Sequence, residues 1–452
     1  MNDNRLHETL YLFAYTIVVL LVLSLFPPIE IAGFSFREIS LFSDVRKSIP
    51  EPQSKPNKGQ VAEADSVALP EPKAGDLPCP PGVTCIEDYS EGGDGLVQFT
   101  KALRNAGKEQ VRIGFFGDSF IEGDILTASL RDTLQGIFGG RGPGLVPIFS
   151  EVARFRNTIS ASAENWSNYT IIGKYETEPT FGPAGFAAVP RAGNISRFLP
   201  GKNRQVLEPI SLLYGGPSAA TVRVIVDDSL QSELTLAPEP LISSVNLSRQ
   251  GSRSVQLEIV SPDSINLYGV SVERGNGVYV DNLAMRGNSG LALSRIKPSV
   301  LRRANALRPY RLVVLQYGLN VVTENDSTSY AWYVAGMTRV VEQIRSALPD
   351  CSILIVSVSD RAGNRNGEYE TLPGILAMRA AQRKVAAKTG IAFWDLFQAM
   401  GGENSIGRYV NHNPPLAGKD YTHLNFRGGK VVALKMADAL LFEHKRHEVR
   451  FP

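Results

Sequence analysis

The stretch Val111-Arg112-Ile113-Gly114-Phe115-Phe116-Gly117-Asp118-Ser119 decides the reading of this chain. Its first six residues form a largely apolar run of strand length, and Gly-Asp-Ser ends it. The next segment, Asp124 to Phe138, places Leu126, Leu130, Leu134 and Ile137 on one helical face, with Asp124 as N-cap and Gly139-Gly140 as stop. A buried strand turning tightly into a helix is the repeating unit of an open parallel sheet. Such sheets place their sites outside the carboxyl ends of the strands. The glycine is expected to allow a sharp turn and leave the Ser119 hydroxyl exposed there.

Further along, the same alternation returns. Arg311 to Tyr317 reads as a strand and Tyr330 to Leu348 as an amphipathic helix. Ser352 to Val358 is a strand, Pro373 to Lys388 a helix stopped by Gly390, Ile391 to Leu396 a strand, and Arg427 to Phe442 the last helix. Strands alternating with helices imply a parallel sheet covered on both faces. The middle of the chain differs. From about Ser150 to Glu273 no helical period stands out, while Val222 to Val226, Val255 to Ile259 and Ile265 to Leu267 alternate apolar and polar residues. That pattern predicts an antiparallel sandwich set inside an α/β domain. Trp166, Tyr169 and Tyr175 in this insert read as core aromatics or as rings that stack on sugars. The glycine run Gly139-Gly140-Arg141-Gly142-Pro143-Gly144 lacks the lysine and hydroxyl residue of a phosphate loop and reads as a helix stop and turn.

A serine hydroxyl is a weak nucleophile until a base takes its proton, and that base needs a third group to orient it. The chain has five histidines. His7 precedes an apolar segment, and His444 and His447 lie in a charged tail, Glu443 to Arg450, expected to be solvated. Of His412 and His423, only His423 has a carboxylate three residues back, in Asp420-Tyr421-Thr422-His423, just before a helix. Oxyanion donors must be in place as charge develops. Asn320 follows the strand ending at Tyr317, and Gly287 lies in a turn within Val278 to Gly290, where its backbone N–H is available.

Ser119, Gly287, Asn320 and His423 in this chain order resemble the SGNH (GDSL-like) hydrolase superfamily, with Asp420 completing a triad. Gly117 to Asp124, Leu130 to Gln135, Gly142 to Val146, Leu267 to Glu273, Asp395-Leu396 and Met400 to Gly402 are similar to the bacterial peptidoglycan O-acetylesterase branch, over roughly residues 86 to 445. Phe120 departs from it, where members often carry histidine. The resemblance implies a three-layer, flavodoxin-like parallel sheet interrupted by an all-β, jelly-roll-like sandwich similar to a carbohydrate-binding module. It implies removal of acetyl groups from cell-wall glycan. In the roles so implied, Ser119, Asp420 and His423 are catalytic, Ser119, Gly287 and Asn320 form the oxyanion hole, and no metal or cofactor is needed.

Composition is that of a globular protein: 452 residues, 43% hydrophobic, 20% charged and net charge +2. With no long basic run, nucleic acid is not expected as a partner. Leu10 to Phe26 is nearly pure apolar and is followed by Pro27-Pro28 with no small-residue cleavage site. It reads as an uncleaved single-span membrane anchor rather than a signal peptide. Ile49 to Pro78, rich in Pro, Glu, Lys and Ala, reads as an extended tether. Cys79 and Cys85 can close a small disulfide loop in an oxidising compartment, two free thiols being the alternative.

The expected organisation is therefore a membrane anchor over 1–32, a tether over 33–85, a discontinuous hydrolase domain over 86–149 and 274–446, and a carbohydrate-binding-like sandwich over 150–273. The expected function is a serine esterase acting on an acetylated polysaccharide, peptidoglycan foremost. It would be held at the inner membrane through residues 10–26, with its catalytic part in the periplasm or cell exterior. An O-acetyltransferase and a non-catalytic polysaccharide-binding protein are the alternatives.

Overall fold

A computed structural model describes residues 70–451 apart from 74–76, 151, 203, 263, 325–328 and 366, together with Tyr15 and residues 30–31 and 34–35. The chain divides into two compact units, Met1–Val67 and Ala68–Pro452. In the first, the described backbone is helical Tyr15 and an antiparallel pairing of Glu30–Ile31 with Phe34–Ser35.

The second unit is built on a six-stranded sheet. Its order is Gly277–Ala284, Gln110–Gly117, Tyr310–Gln316, Ser352–Val356, Ala392–Trp394 and Glu87–Asp88. The first five run parallel, and Glu87–Asp88 closes one edge antiparallel. Both faces are covered: residues such as Val111, Ile113, Phe115, Val280, Leu312, Val314 and Leu354 are buried in one hydrophobic core with the helices Thr127–Phe138, Ala331–Ala347, Pro373–Thr389 and Phe426–Arg450. That burial on two sides is why these strands carry near-continuous apolar runs.

Between Gln110–Gly117 and Gly277–Ala284 the chain makes two further antiparallel sheets. One has six strands, among them Ile210–Gly216, Glu239–Ser248 and Asn266–Arg274; the other has five, including Ala220–Val226 and Val255–Ser261. Their inward residues form a second core around Val222, Val224, Leu257, Leu212 and Val270. The strand Arg141–Val146 pairs with Asn266–Arg274, so the glycine run after the first helix continues into sandwich structure. Trp166 donates its indole N–H to Ile195 O at 2.9 Å and packs on the sandwich core, while Tyr169 and Tyr175 tilt against each other at 4.9 Å beside the sheet core.

A buried ionic network ties the sandwich to the parallel sheet. Arg112, on Gln110–Gly117, meets Glu273 at 2.5 Å. Arg308 meets both Asp281 and Glu273 at 2.8 Å and donates to Ser271. Tyr310 donates its hydroxyl to Asp281 at 2.6 Å. Burial would push the Asp281 carboxyl up, but the Arg308 and Arg112 guanidiniums outweigh it and hold the group below the usual carboxylate range.

Several expectations need correction. The N-terminal membrane-spanning helix is not supported: among the described residues no helix is long and apolar enough to cross a membrane. The longest, Phe426–Arg450, interleaves lysines, arginines and histidines with its apolar residues because only one face is buried, against the helices Thr127–Phe138 and Val97–Leu103. Residues 10–26 lie outside the described residues except Tyr15, and the inner-membrane placement with a periplasmic or exterior catalytic part falls with the anchor. Most of the expected tether also lies outside them. At the other end, Glu443 to Arg450 is not a solvated tail but the last turns of that helix. Glu443 is buried, His444 meets Phe138 edge-on at 5.6 Å, and Arg450 donates to Gly92 O and Gly93 O. Cys79 and Cys85 are disulfide-bonded, and Cys351 is buried as a free thiol.

Candidate active site

Three neighbouring strands deliver the site. Ser119 follows the end of Gln110–Gly117, Gly287 the end of Gly277–Ala284, and Asn320 the end of Tyr310–Gln316. Gly117 is required for space rather than for a left-handed turn. A Cβ there would stand 2.7 Å from the Ile121 side chain and 3.1 Å from Gln316 O. The backbone then folds back through bonds from Ile121 N to Asp118 O and from Glu122 N to Ser119 O. Asp124 does not cap the following helix, which starts at Thr127. Its carboxylate is taken instead by Arg131 at 3.2 Å, Arg156 at 2.8 Å and the Thr158 hydroxyl. Arg156 and Thr158 come from the segment after Ser150, so this buried hub seats the insert beside the serine turn.

His423 arrives from the other end of the chain. Asn425 caps the last helix by accepting from Arg427 N and Gly428 N. The first turn of that helix presses close to its neighbours. A Cβ on Gly428 or Gly429 would lie 2.0 Å from Leu416 O or Ile125 O respectively, so only glycines allow this approach. As a result His423 Nε2 stands 2.9 Å from Ser119 Oγ, and His423 Nδ1 stands 2.7 Å from Asp420 Oδ2. Asp420 Oδ1 accepts from the backbone N–H groups of Thr422 and His423, both at 3.1 Å. Partial burial would raise the Asp420 carboxyl, but these bonds, led by that from the His423 side chain, hold it below the usual range.

Asn320 bridges the other two motif blocks. Its Nδ2 donates to Asp118 Oδ2 at 3.0 Å and to Asn288 O at 3.1 Å. Asn288 O can only accept and Asp118 Oδ2 accepts here, which sets the orientation of the amide and commits both its hydrogens. Asp118 Oδ1 accepts from Phe120 N at 2.9 Å. Burial pushes the Asp118 carboxyl up to about 7, against the downward pull of that bond and of His423. Gly287 sits exposed in a left-handed turn, φ +75°, and Met285 N donates to Gly117 O, joining its turn to the serine strand. Phe120 is buried in the core and does not face substrate space.

A cavity of about 200 Å³ opens over Ser119, Asp420 and His423. Its wall includes four residues that sequence reasoning did not single out: Glu122, Arg286, Val152 and Phe155. Arg286 and Glu122 pair with each other in that wall at 2.5 Å. Glu122 and Arg286 each lie within three residues of a motif member, which was the available signal. Val152 and Phe155 belong to the insert, and only the tertiary fold brings them to the serine.

Residues 263–430 match the model of the GDSL-like Lipase/Acylhydrolase family. The protein carries an SGNH-type hydrolase domain. It is thereby a carboxylic-ester hydrolase. The matched span holds Gly287, Asn320, Asp420 and His423; Ser119 lies before it and joins through the strand pairing of Gln110–Gly117. Among solved structures, a peptidoglycan O-acetylesterase is similar at 22% identity, covering 80% of this chain and 99% of its own, with a TM-score of 0.65, and so shares the fold. The acetyl xylan esterase AlAXEase aligns at 19% identity over 36% of this chain and 81% of its own, TM-score 0.29. A family two carbohydrate esterase from Clostridium thermocellum aligns at 10% identity over 62% and 100%, TM-score 0.27. No curated protein sequence matches the chain.

Proposed function

We propose that this SGNH-type hydrolase is a serine esterase that removes O-acetyl groups from a polysaccharide, with peptidoglycan as that glycan. The observation that carries the reading is the unbroken hydrogen-bond chain from Ser119 Oγ through His423 to Asp420, at 2.9 and 2.7 Å, beneath an open cavity. Ser119 Oγ attacks the acetyl carbonyl carbon while His423 Nε2 takes the hydroxyl proton. Asp420 holds the ring with its other nitrogen protonated and stabilises the imidazolium. The tetrahedral oxyanion is met by the backbone N–H groups of Ser119 and Gly287. Asn320 serves there by turning one amide hydrogen away from its resting partner. Collapse expels the sugar alkoxide, which receives the proton from His423, and leaves an acetyl–serine ester. Water, deprotonated by His423, then releases acetate and restores Ser119.

Two further observations support a polysaccharide ester. The cavity is open to the surface and partly walled by Val152 and Phe155 of the inserted sandwich, which we take as the glycan-facing module over 150–273. The structural likeness over 80% of the chain is to a protein described as a peptidoglycan O-acetylesterase. The test is acetate release from acetylated peptidoglycan and acetylated xylan by the intact protein and by Ser119→Ala. Release from peptidoglycan is expected to exceed that from xylan, and Ser119→Ala is expected to lose several orders of magnitude in turnover. A Ser119→Ala variant keeping more than about a tenth of the activity overturns the site, and preference for xylan overturns the glycan.

A further inference from the structure

We propose that the hairpin strands Ala362–Arg365 and Glu368–Thr371 brace the Asp420–His423 loop, with Tyr369 as the positioning residue. The proposal rests on the reading of Asp420 and His423 as catalytic. That loop is exposed for a part of the molecule that must hold a base in line: the side chains of His423 and Asp420 are 39% and 51% exposed. Between them, Tyr421 takes φ +52°, the left-handed region that residues with a Cβ rarely occupy. Within the loop, its backbone is held by Tyr421 N to Gly418 O at 3.1 Å and Gly418 N to His423 O at 2.8 Å. A left-handed non-glycine residue persists where the surroundings over-determine it.

The surroundings are the hairpin. Ala362 N donates to Tyr421 O at 3.1 Å. The rings of Tyr369 and Tyr421 lie 3.6 Å apart with planes within 1°. Ring quadrupoles favour offset or edge-on pairs over this face-to-face arrangement. The hairpin backbone therefore delivers Tyr369 onto Tyr421 and uses the ring as a cover. The hairpin strands Ala362–Arg365 and Glu368–Thr371 are themselves seated at their base. Thr371 N donates to Asn404 Oδ1 at 3.0 Å, Asn404 N to Thr371 Oγ1 at 2.7 Å, and Thr371 Oγ1 to Asp360 Oδ1 at 2.8 Å. Arg361, at the hairpin's root, donates to Leu319 O beside Asn320 at 3.4 Å. One element thus touches both the Asp-x-x-His loop and the loop that carries Asn320.

Removing the Tyr369 ring uncovers Tyr421 and lets the loop relax, which moves His423 off the line to Ser119 without touching the acyl pocket. Misplacement of a catalytic group on this scale costs turnover rather than substrate affinity. The experiment compares Tyr369→Ala, Tyr369→Phe and Ser119→Ala with the unaltered full chain, using 4-nitrophenyl acetate for kcat and KM and thermal melting for the fold. Tyr369 is 43% exposed, so the fold is expected to survive its truncation. For Tyr369→Ala kcat should fall roughly tenfold with KM within about twofold, and Tyr369→Phe should restore kcat. An unchanged kcat in Tyr369→Ala overturns the brace. So does a raised KM at constant kcat, which would place the ring in substrate binding, and so does a Phe variant as impaired as Ala. Activity surviving in Ser119→Ala overturns the catalytic reading itself, separately from the brace.

Discussion

Exchanging Asp420 for asparagine should do more damage than deleting its side chain altogether. The reason lies in which donors the carboxylate serves. Oδ1 accepts from Thr422 N and His423 N, each at 3.1 Å, while Oδ2 accepts from His423 Nδ1 at 2.7 Å. An asparagine must keep its amide oxygen toward the two backbone N–H groups, since its NH2 cannot accept. The NH2 is then forced against His423 Nδ1. That nitrogen becomes an acceptor, the ring proton moves to Nε2, and Nε2 faces Ser119 Oγ at 2.9 Å as a donor instead of a base. In a buried triad the same inversion costs about 10⁴ in turnover. Here water reaches both side chains, 39% and 51% exposed, and competes for the ring. A loss of roughly 10³, about 4 kcal/mol of barrier, is therefore expected for Asp420→Asn. Asp420→Ala leaves Nδ1–H free to donate to water and should lose only about 10², because no tautomer is imposed. Both are read as kcat on 4-nitrophenyl acetate at pH 8. If Asp420→Asn equals or exceeds Asp420→Ala in turnover, the assignment of Asp420 as the tautomer-setting partner is wrong.

Asn320→Ala should cut kcat roughly 100-fold with a smaller change in KM, as loss of an oxyanion donor does; a raised KM at constant kcat would make Asn320 an ordinary binding residue. Arg308→Met should destabilise the fold by about 3–5 kcal/mol in urea titration, since it leaves the buried Asp281 and Glu273 carboxylates without that counter-charge; a change below about 1 kcal/mol would mean the network is not what joins sandwich to sheet. Asp118, raised by burial to about 7, favours the folded state when protonated, a contribution present below the ordinary carboxylate range and lost as pH climbs toward 7. Relative to Asp118→Asn, the unaltered protein should therefore lose stability between pH 4 and pH 7, by at most about 4 kcal/mol; a pH-independent difference would refute the burial argument.

The sequence by itself determined the parts that depend on local pattern. Apolar runs at strand length, amphipathic spacing from Tyr330 to Leu348 and from Pro373 to Lys388, and alternation through the middle segment all follow from periods of one element. That Ser119, Asp420 and His423 come together was legible because a strand-ending Gly-Asp-Ser and a late Asp-x-x-His need few neighbours to be paired. What depends on long-range contact was not legible. Asp124 has the chemistry of a helix cap, yet Arg131 and Arg156 claim it from 7 and 32 residues away. The charged stretch Glu443 to Arg450 has the composition of a solvated tail, yet the helix carries it onto Phe138 and the Gly92–Gly93 turn, where its stems and rings gain packing. The apolar residues 10–26 met a length criterion for a membrane span, which no helix among the described residues satisfies. Gly117 looked like a turn residue, but the adjacent strand and Ile121 show that its role is to leave room. Tertiary structure alone set Asn320 against Asp118, Arg286 against Glu122, Phe155 beside Ser119 and Tyr369 on Tyr421. The first two pairs join residues brought together by the order of strands in the sheet, Phe155 arrives with the insert and Tyr369 with a separate hairpin, and a linear pattern carries no record of any of these contacts.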